Sequence, residues 1–361
     1  MELLTTTIDL DAIAHNTRII KDLAGQAQLM AVVKADAYGH GAVEVARVMA
    51  ENGADQFGVA TLTEALSLRE KGITQPILAW IWSAEQDFVA AIDRGIELGV
   101  PTLAHARAVA DYDCRVAIKI DTGLRRSGLP EEHWAEVFQL LKRSKTTVTG
   151  LFSHLACADE PGNPITDEQA STFERAIAAA RAAGLDIPVN HISNSPATLT
   201  RPDLHYQMVR PGLILYGLEP MPGQDHGLKP AMTWSARVSV VKRISQGEGT
   251  SYNLTWRAPR DGNYCVVPVG YADGLPRATQ GHLEVTIGGK RYPQVGRVCM
   301  DQIVVWLDQD TTEPGAEAIL FGPGERGEMN ATELADAIGT INYEIICLPK
   351  GRTLRTYVGG K

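Results

Sequence analysis

No stretch of the 361 residues is both long and apolar enough to span a bilayer, which excludes a membrane-crossing helix. The opening residues, Met1 to Leu10, carry no basic segment followed by an apolar run, so no signal peptide is expected. Cysteine is scarce and scattered: Cys114, Cys157, Cys265, Cys299 and Cys347 show none of the paired spacings of a zinc site or a disulfide framework. No metal is therefore expected, and a reducing cytoplasm is the expected compartment. Positive charge is not in excess either, because a formal net charge of -9 argues against nucleic acid and against an anionic membrane surface as partners. Internal repeats and low-complexity segments are missing too. Small-molecule chemistry is the class that remains.

What is present is an ordinary globular composition, 44% hydrophobic and 21% charged, in a chain long enough to bury a sizeable core. The first two-thirds alternates short apolar runs with amphipathic segments. Strands are predicted at 29–33, 56–60, 76–80, 96–100, 115–120, 147–153, 187–192 and 208–216, with helices at 43–51, 62–71, 84–94, 131–143 and 167–183. About eight βα units predict a (β/α)8 barrel of the TIM type. A doubly wound sheet is the competing plan, but the Gly-rich fingerprint expected after its first strand is missing. Turn formers crowd residues 218–229, and beyond them the pattern is mostly β, with a hairpin signal at Gly288-Gly289 and one helix at 331–338 behind Asn330 as N-cap. The expected organisation is a strand at 1–10 packing with the C-terminal domain, a barrel at 11–225 and a β-rich domain at 226–361.

The run Leu29 to Val33 reads as a strand covered on both faces, and it ends in Lys34 within AVVKADAYGHG. A lysine at that place is either a solvated residue before a Gly-rich turn or a desolvated amine able to form a Schiff base with a carbonyl. Barrel enzymes build their sites at the carboxyl ends of the strands. Lys34 ends the first predicted strand, Asp121 to Arg126 follow the fifth, His154 ends the sixth and Ser193 to Ser195 follow the seventh. Arg210, Pro211 and Gly212 fall within the predicted eighth. Each has an ordinary reading alone: a surface arginine, a strand-capping histidine, a helix start at Asn194 or Ser195. Independent surface residues have no reason to share one end of one barrel. In the β-rich part, Tyr252 sits in a polar turn and by itself reads as a half-buried packing residue, whereas the segments 269–274 and 295–301 mix glycine with aromatic or charged groups; the basic run Lys350 to Arg355 has a solvated tail as its ordinary reading.

These motifs, with KIDTGLRRSG at Lys119, SHLACADE at Ser153, NSPA at Asn194, MVRPGLILYG at Met208, SYN at Ser251, VGYADG at Val269, GRVCMDQ at Gly296 and INYE at Ile341, occur in order along the whole chain. The chain thereby resembles the alanine racemases, which are pyridoxal-phosphate enzymes with a barrel followed by a β-domain. The resemblance implies that Lys34 carries pyridoxal 5'-phosphate. Tyr252, from the second subunit of a homodimer, would be the opposing acid/base, because racemisation needs one group on each face of the α-carbon. It further implies that His154 and Arg210 lie behind Tyr252 and that Arg210 faces the pyridine nitrogen, leaving that nitrogen unprotonated. Arg126 and the backbone N–H of Met300 would hold the substrate carboxylate, with Lys119 as an often carbamylated support for Arg126. The phosphate falls to Tyr38, Ser195 and the backbone N–H groups of Gly212 and Leu213, with Asn194 as a further cofactor-binding residue. Many members carry a further tyrosine where this chain has Gly351, which leaves Tyr357 as the expected substitute. Tyr271, Arg277, Arg297 and Asp159 would line the access corridor. The implied reaction interconverts L- and D-alanine, supplying or consuming D-alanine. A broader or serine-preferring racemase is the close alternative, and a non-catalytic pyridoxal-phosphate carrier fits less well because such proteins lack a second domain.

Overall fold

The computed structural model describes residues 2–360, which form two compact units. The barrel unit holds residues 13–37 and 41–228; the β unit holds 2–12, 38–40 and 229–360.

Seven parallel strands make the barrel wall: β2 (Gln28–Val32), β3 (Gln56–Thr61), β4 (Ile77–Ile81), β5 (Ile96–Val100), β6 (Arg115–Lys119), β7 (Thr147–Phe152) and β8 (Met208–Val209), in the order β7-β6-β5-β4-β3-β2-β8. The eighth position is filled by residues 189–193; the full strand predicted over 187–192 is reduced there to one parallel bridge, Phe152 with His191. Val189 N–H donates to Thr149 O (3.0 Å) and His191 N–H to Leu151 O (3.0 Å) on one side, and Gln207 N–H to Asn190 O (3.3 Å) on the other. The regular ladder fails for two reasons. Pro188 has no N–H to give, and side-chain amides replace backbone partners, since Asn190 Oδ1 takes the Leu151 N–H (3.0 Å) and Gln207 Oε1 the Asn190 N–H (3.1 Å).

Other boundaries also moved. The strand predicted over 208–216 stops at Val209, because Pro211 breaks the ladder and residues Leu213–Tyr216 wind into a 3-10 turn ended by Gly217 at φ 86°. Arg210 and Gly212 therefore follow the last strand instead of lying within it. The helix predicted over 84–94 shrinks to Val89–Asp93. A helix not expected, Leu10–Ala24, starts behind Asp9, whose carboxylate accepts the N–H groups of Asp11 (2.9 Å) and Ala12 (3.0 Å). Met30, Leu78, Ala117, Phe152 and Met208 pack as one buried cluster inside the wall.

In the β unit, β1 (Leu4–Asp9), β9 (Met232–Arg237), β10 (Val240–Ile244), β13 (Gly262–Val267), β14 (Glu284–Ile287), β15 (Lys290–Val295), β16 (Ile303–Asp308), β17 (Glu317–Phe321) and β18 (Leu354–Val358) form one sheet. Its order is β10-β13-β16-β15-β14-β17-β9-β1-β18, antiparallel except for the β1–β18 edge. The short pair β11 (Gly249–Thr250) and β12 (Trp256–Arg257) stands apart from it. Gly288 and Gly289, at φ 59° and 83°, make the two-residue hairpin between β14 and β15 that the sequence predicted. Asn330 caps helix Ala331–Ile338 in a reciprocal box with Glu333.

Barrel closure depends on the missing side chain of Gly150, where a Cβ would stand 1.7 Å from Val189 O. Gly150→Ala must push residues 189–193 outward, and a loss of about 2 kcal/mol or more is expected in denaturant unfolding followed by circular dichroism. Unchanged stability would contradict the closure described.

Candidate active site

β2 is buried from Leu29 to Val32, and Val33 still bonds as a strand, donating to Gly58 O (2.9 Å). Lys34 comes next, and the chain then leaves the sheet through a left-handed turn. Ala35, Asp36, Ala37 and Tyr38 have φ of 52°, 53°, 55° and 54°. None is glycine, and such a conformation costs about 1–2 kcal/mol per residue, so surrounding contacts must hold it. The turn is what makes an apolar strand end at a lysine.

Lys119 ends β6, buried beneath a loop that folds back so that Leu129 N–H donates to Lys119 O (2.7 Å). Burial pushes its ammonium down to about 8, and the charges of Arg210, Arg126 and Lys34 add to the shift while Asp121 opposes it. Asp121 also organises that loop, its Oδ1 accepting the N–H groups of Gly123 and Arg125 (3.0 Å each). Arg126 stands exposed on it.

Arg210 is 6% exposed and is fastened at several points. Its guanidinium donates to His191 Nδ1 (2.9 Å), to His154 Nδ1 (3.2 Å) and to the Ser153 carbonyl, and it lies over the Phe152 ring at 5.7 Å. A guanidinium only donates, so both imidazoles accept at Nδ1 and carry their proton on Nε2. Burial first, and Arg210 second, hold both histidines well below the ordinary range, so both are neutral near pH 7.

After the bridge at His191 the chain supplies a cluster of small polar groups. Ser195 Oγ accepts the Gly212 N–H (3.0 Å), Leu213 opens the 3-10 turn, and Asn194 Oδ1 is used as the cap of helix Ser195–Thr200 through Ala197 N–H (3.3 Å). Asp159 is exposed in the loop after β7.

In the β unit, Tyr38 is buried with its ring centroid 6.2 Å from that of Tyr343. Burial raises the Tyr38 phenol far above its usual range, helped by Tyr343 and Cys347. Tyr343 was not among the sequence candidates, although it stands in the quoted INYE motif. Tyr357, the expected substitute for the missing tyrosine, lies exposed on the edge strand β18 opposite Ile8, its register fixed by the parallel pairing with β1. Gly351, at φ 63°, leaves no room for a side chain: a Cβ would meet Ala272 O at 2.5 Å.

A cavity of about 480 Å³ brings together Tyr252, Tyr271, Arg277 and Arg297, with Asn253 and Val298. Tyr252 is 65% exposed on a loop whose neighbours Ser251, Asn253 and Leu254 all have positive φ, and Ser251 Oγ ties the loop by donating to Arg297 O (2.7 Å). The loop carrying Met300 packs onto the one carrying Tyr271, with Tyr271 N–H on Cys299 O and Ala272 N–H on Met300 O (3.1 Å each). Gly270 permits that approach, since a Cβ there would meet Met300 O at 2.2 Å. Arg352, expected in a solvated tail, grips the fully buried Asp273 through two bonds of 2.8 Å and Asp301 through one of 2.7 Å.

A family model for the alanine racemase N-terminal domain matches residues 8–220, and one for the C-terminal domain matches residues 231–357. The chain belongs to the alanine racemase family. It is 62% identical over 367 residues to the alanine racemase of Corynebacterium efficiens, covering 99% of each. Its structure is similar to the crystal structure of alanine racemase from Corynebacterium glutamicum, at 56% identity and a TM-score of 0.91, covering 99% of this chain and 100% of that one. The alanine racemase of Bacillus anthracis solved with bound L-Ala-P matches at 33% identity and a TM-score of 0.90, covering 99% of this chain and 96% of that one. No helix among the described residues is long and apolar enough to cross a membrane, and no group of three or more His, Cys, Asp or Glu is placed to hold a metal.

Alanine racemases depend on pyridoxal 5'-phosphate, and the barrel residues fit such a ligand. Lys34, Lys119, Arg126 and Arg210 share one electrostatic environment, in which Asp121 counters the downward shift of Lys119 but does not cancel it. A ligand with a phosphate and a phenolate supplies the missing negative charge.

The grip of Arg352 on a buried carboxylate gives a stability prediction. Arg352→Ala strands Asp273 and is expected to lower the thermal midpoint by several degrees, whereas Arg326→Ala, which loses an exposed pair with Glu317, changes it little. Equal shifts in scanning calorimetry would refute the distinction.

Proposed function

We propose that this chain interconverts L- and D-alanine as a homodimer in which Lys34 and Tyr252 of the partner subunit are the two opposed proton carriers. The observation that carries the reading is Arg210, protonated and fastened between two neutral histidines in a cation-rich barrel. Pyridoxal phosphate, when bound, delocalises the electron pair left at the α-carbon and so makes the α-proton removable. Lys34 Nζ holds the cofactor and takes or returns the proton on one face; the phenol oxygen of Tyr252 does so on the other. His154 keeps its proton on Nε2, where it donates to that phenol oxygen and favours the phenolate. Arg210 would be the residue presented to the ring nitrogen, a donor that does not give up its own proton; with the nitrogen left unprotonated, the chemistry supplied would be proton exchange, with transamination and decarboxylation restrained.

Arg126 and the Met300 N–H hold the substrate carboxylate. Ser195, the N–H groups of Gly212 and Leu213, and Tyr38 hold the phosphate, with Asn194 stiffening the helix start beside them. The pairing of Tyr38 with Tyr343 favours Tyr343, not Tyr357, as the second tyrosine of that cup. Tyr271, Arg277, Arg297 and Asp159 line the access corridor. A pocket that accepts a methyl group rejects a hydroxymethyl group weakly, so serine belongs in the assay beside alanine. A reducing cytoplasm is the setting we propose, since all five cysteines are free thiols.

Lys34→Ala and Tyr252→Phe are each expected to lose about 10²–10⁴-fold in racemisation, Tyr252→Phe more for one enantiomer than the other in solvent-proton exchange. Random mixing of the two inactive variants leaves one intact site in each hybrid dimer, so recovery of about a quarter of wild-type activity is expected; no recovery in confirmed hybrids excludes shared sites. Lys119, pushed down to about 8, is largely neutral at mildly alkaline pH and open to carbon dioxide. A carbamate resonance after 13C-bicarbonate, strengthening as pH rises toward 8 and absent in Lys119→Ala, is the expected NMR result.

A further inference from the structure

The left-handed turn after Lys34 is held by a carboxylate that belongs to another strand. Ala35 N–H donates to Glu64 Oε1 (2.8 Å), while Glu64 Oε2 accepts the N–H groups of Ala60 (2.8 Å) and Thr61 (3.0 Å) at the end of β3. Glu64 is itself fixed, because its own N–H donates to Thr61 Oγ1 (3.3 Å) in the capping box of helix Leu62–Glu70. One side chain thus joins the carboxyl ends of two neighbouring barrel strands, and one of its three amide partners belongs to the residue immediately after the lysine. The far end of the turn is tied separately, with Ala42 N–H on Asp36 Oδ1 (2.7 Å) and Gly41 N–H on Asp36 O (2.8 Å). Four consecutive non-glycine residues at φ 52–55° do not keep that shape without such anchors.

We propose that Glu64 is a positioning residue for Lys34: through Ala35 it holds the strained turn and so fixes the direction in which Lys34 projects its amine. This rests on the reading of Lys34 as cofactor carrier and base, but the turn itself can be measured apart from that reading. The link is structural and passes through one hydrogen bond, so removing the carboxylate frees Ala35 N–H and lets the backbone around Lys34 relax.

The test compares Glu64→Ala and Glu64→Gln with Thr61→Ala, which breaks the same capping box from its other side and leaves the Ala35 bond intact. Amide hydrogen exchange at Ala35 in the holoenzyme is expected to accelerate at least tenfold in both Glu64 variants, with β3 amides such as Val59 still protected. Their kcat is expected to fall about tenfold with the alanine KM within twofold of wild type, the bound-cofactor absorbance is expected to shift, and the apoenzyme should hold pyridoxal phosphate more weakly. Thr61→Ala should match wild type in all four. Equal effects of Glu64→Ala and Thr61→Ala reduce Glu64 to a helix cap and overturn the proposal, as does wild-type exchange at Ala35. If Glu64→Ala does not fold, Glu64→Gln decides. A Lys34→Ala protein with full activity sinks the catalytic reading while the exchange at Ala35 still judges the clamp.

Discussion

Arg210 is bound by acceptors that carry no charge, and the electrostatics of the barrel follow from that. Two imidazole nitrogens and a carbonyl satisfy the guanidinium without neutralising it, so its full positive charge acts on the groups around it. That charge, with burial, keeps His154 and His191 neutral, selects their tautomers and helps to lower Lys119. A carboxylate partner in the same position would have cancelled the field and set the histidines free to titrate. The need for an anionic ligand is thus written into the choice of acceptors.

Lys34 was legible because the strand before it is apolar and short, so its end is marked by the first charged residue. The barrel was legible from the βα alternation, and so was a strand at its eighth position, but not the irregularity of that strand, because the apolar run does not show that Asn190, Gln207 and the missing side chain at Gly150 replace a regular ladder there. Tyr343 went unnoticed among the candidates for a different reason. Its motif was plain, but the 6.2 Å approach to Tyr38 joins residues some 300 positions apart, and position in a motif does not say which side chain faces which. The role of Arg352 is hidden in composition: a glycine, a lysine and two arginines within Lys350 to Arg355 look solvated, while Arg352 grips a buried acid 79 positions earlier. The clamp of Glu64 on Ala35 lies beyond sequence reading altogether, since an S/T-x-x-E capping signal explains that glutamate fully without its third bond.

The β unit is organised by close backbone approach. Gly270, Gly274 and Gly351 each stand where a Cβ would strike a carbonyl, at Met300, Leu348 and Ala272, so three loops from distant parts of the sequence nest without intervening side chains. Arg352 then locks the nest from outside by gripping one aspartate from each of two loops. Rigidity of this kind suits a loop that presents a backbone N–H, whose aim cannot be corrected by a rotamer.

The edge of the large sheet has a temporal consequence. β1 is flanked by β9 on one side and by β18 on the other, so the strand made first waits for partners that begin near residue 232 and are completed only at residue 358. The barrel strands, by contrast, are all translated by residue 209. During synthesis the parallel wall can close while β1 is still an unpaired ribbon, and its second flank is covered only once residues 354–358 have been made. A ribosome stalled before residue 354 would therefore hold a finished barrel beside a sheet with an open edge, the form of this chain most exposed to pairing with its neighbours.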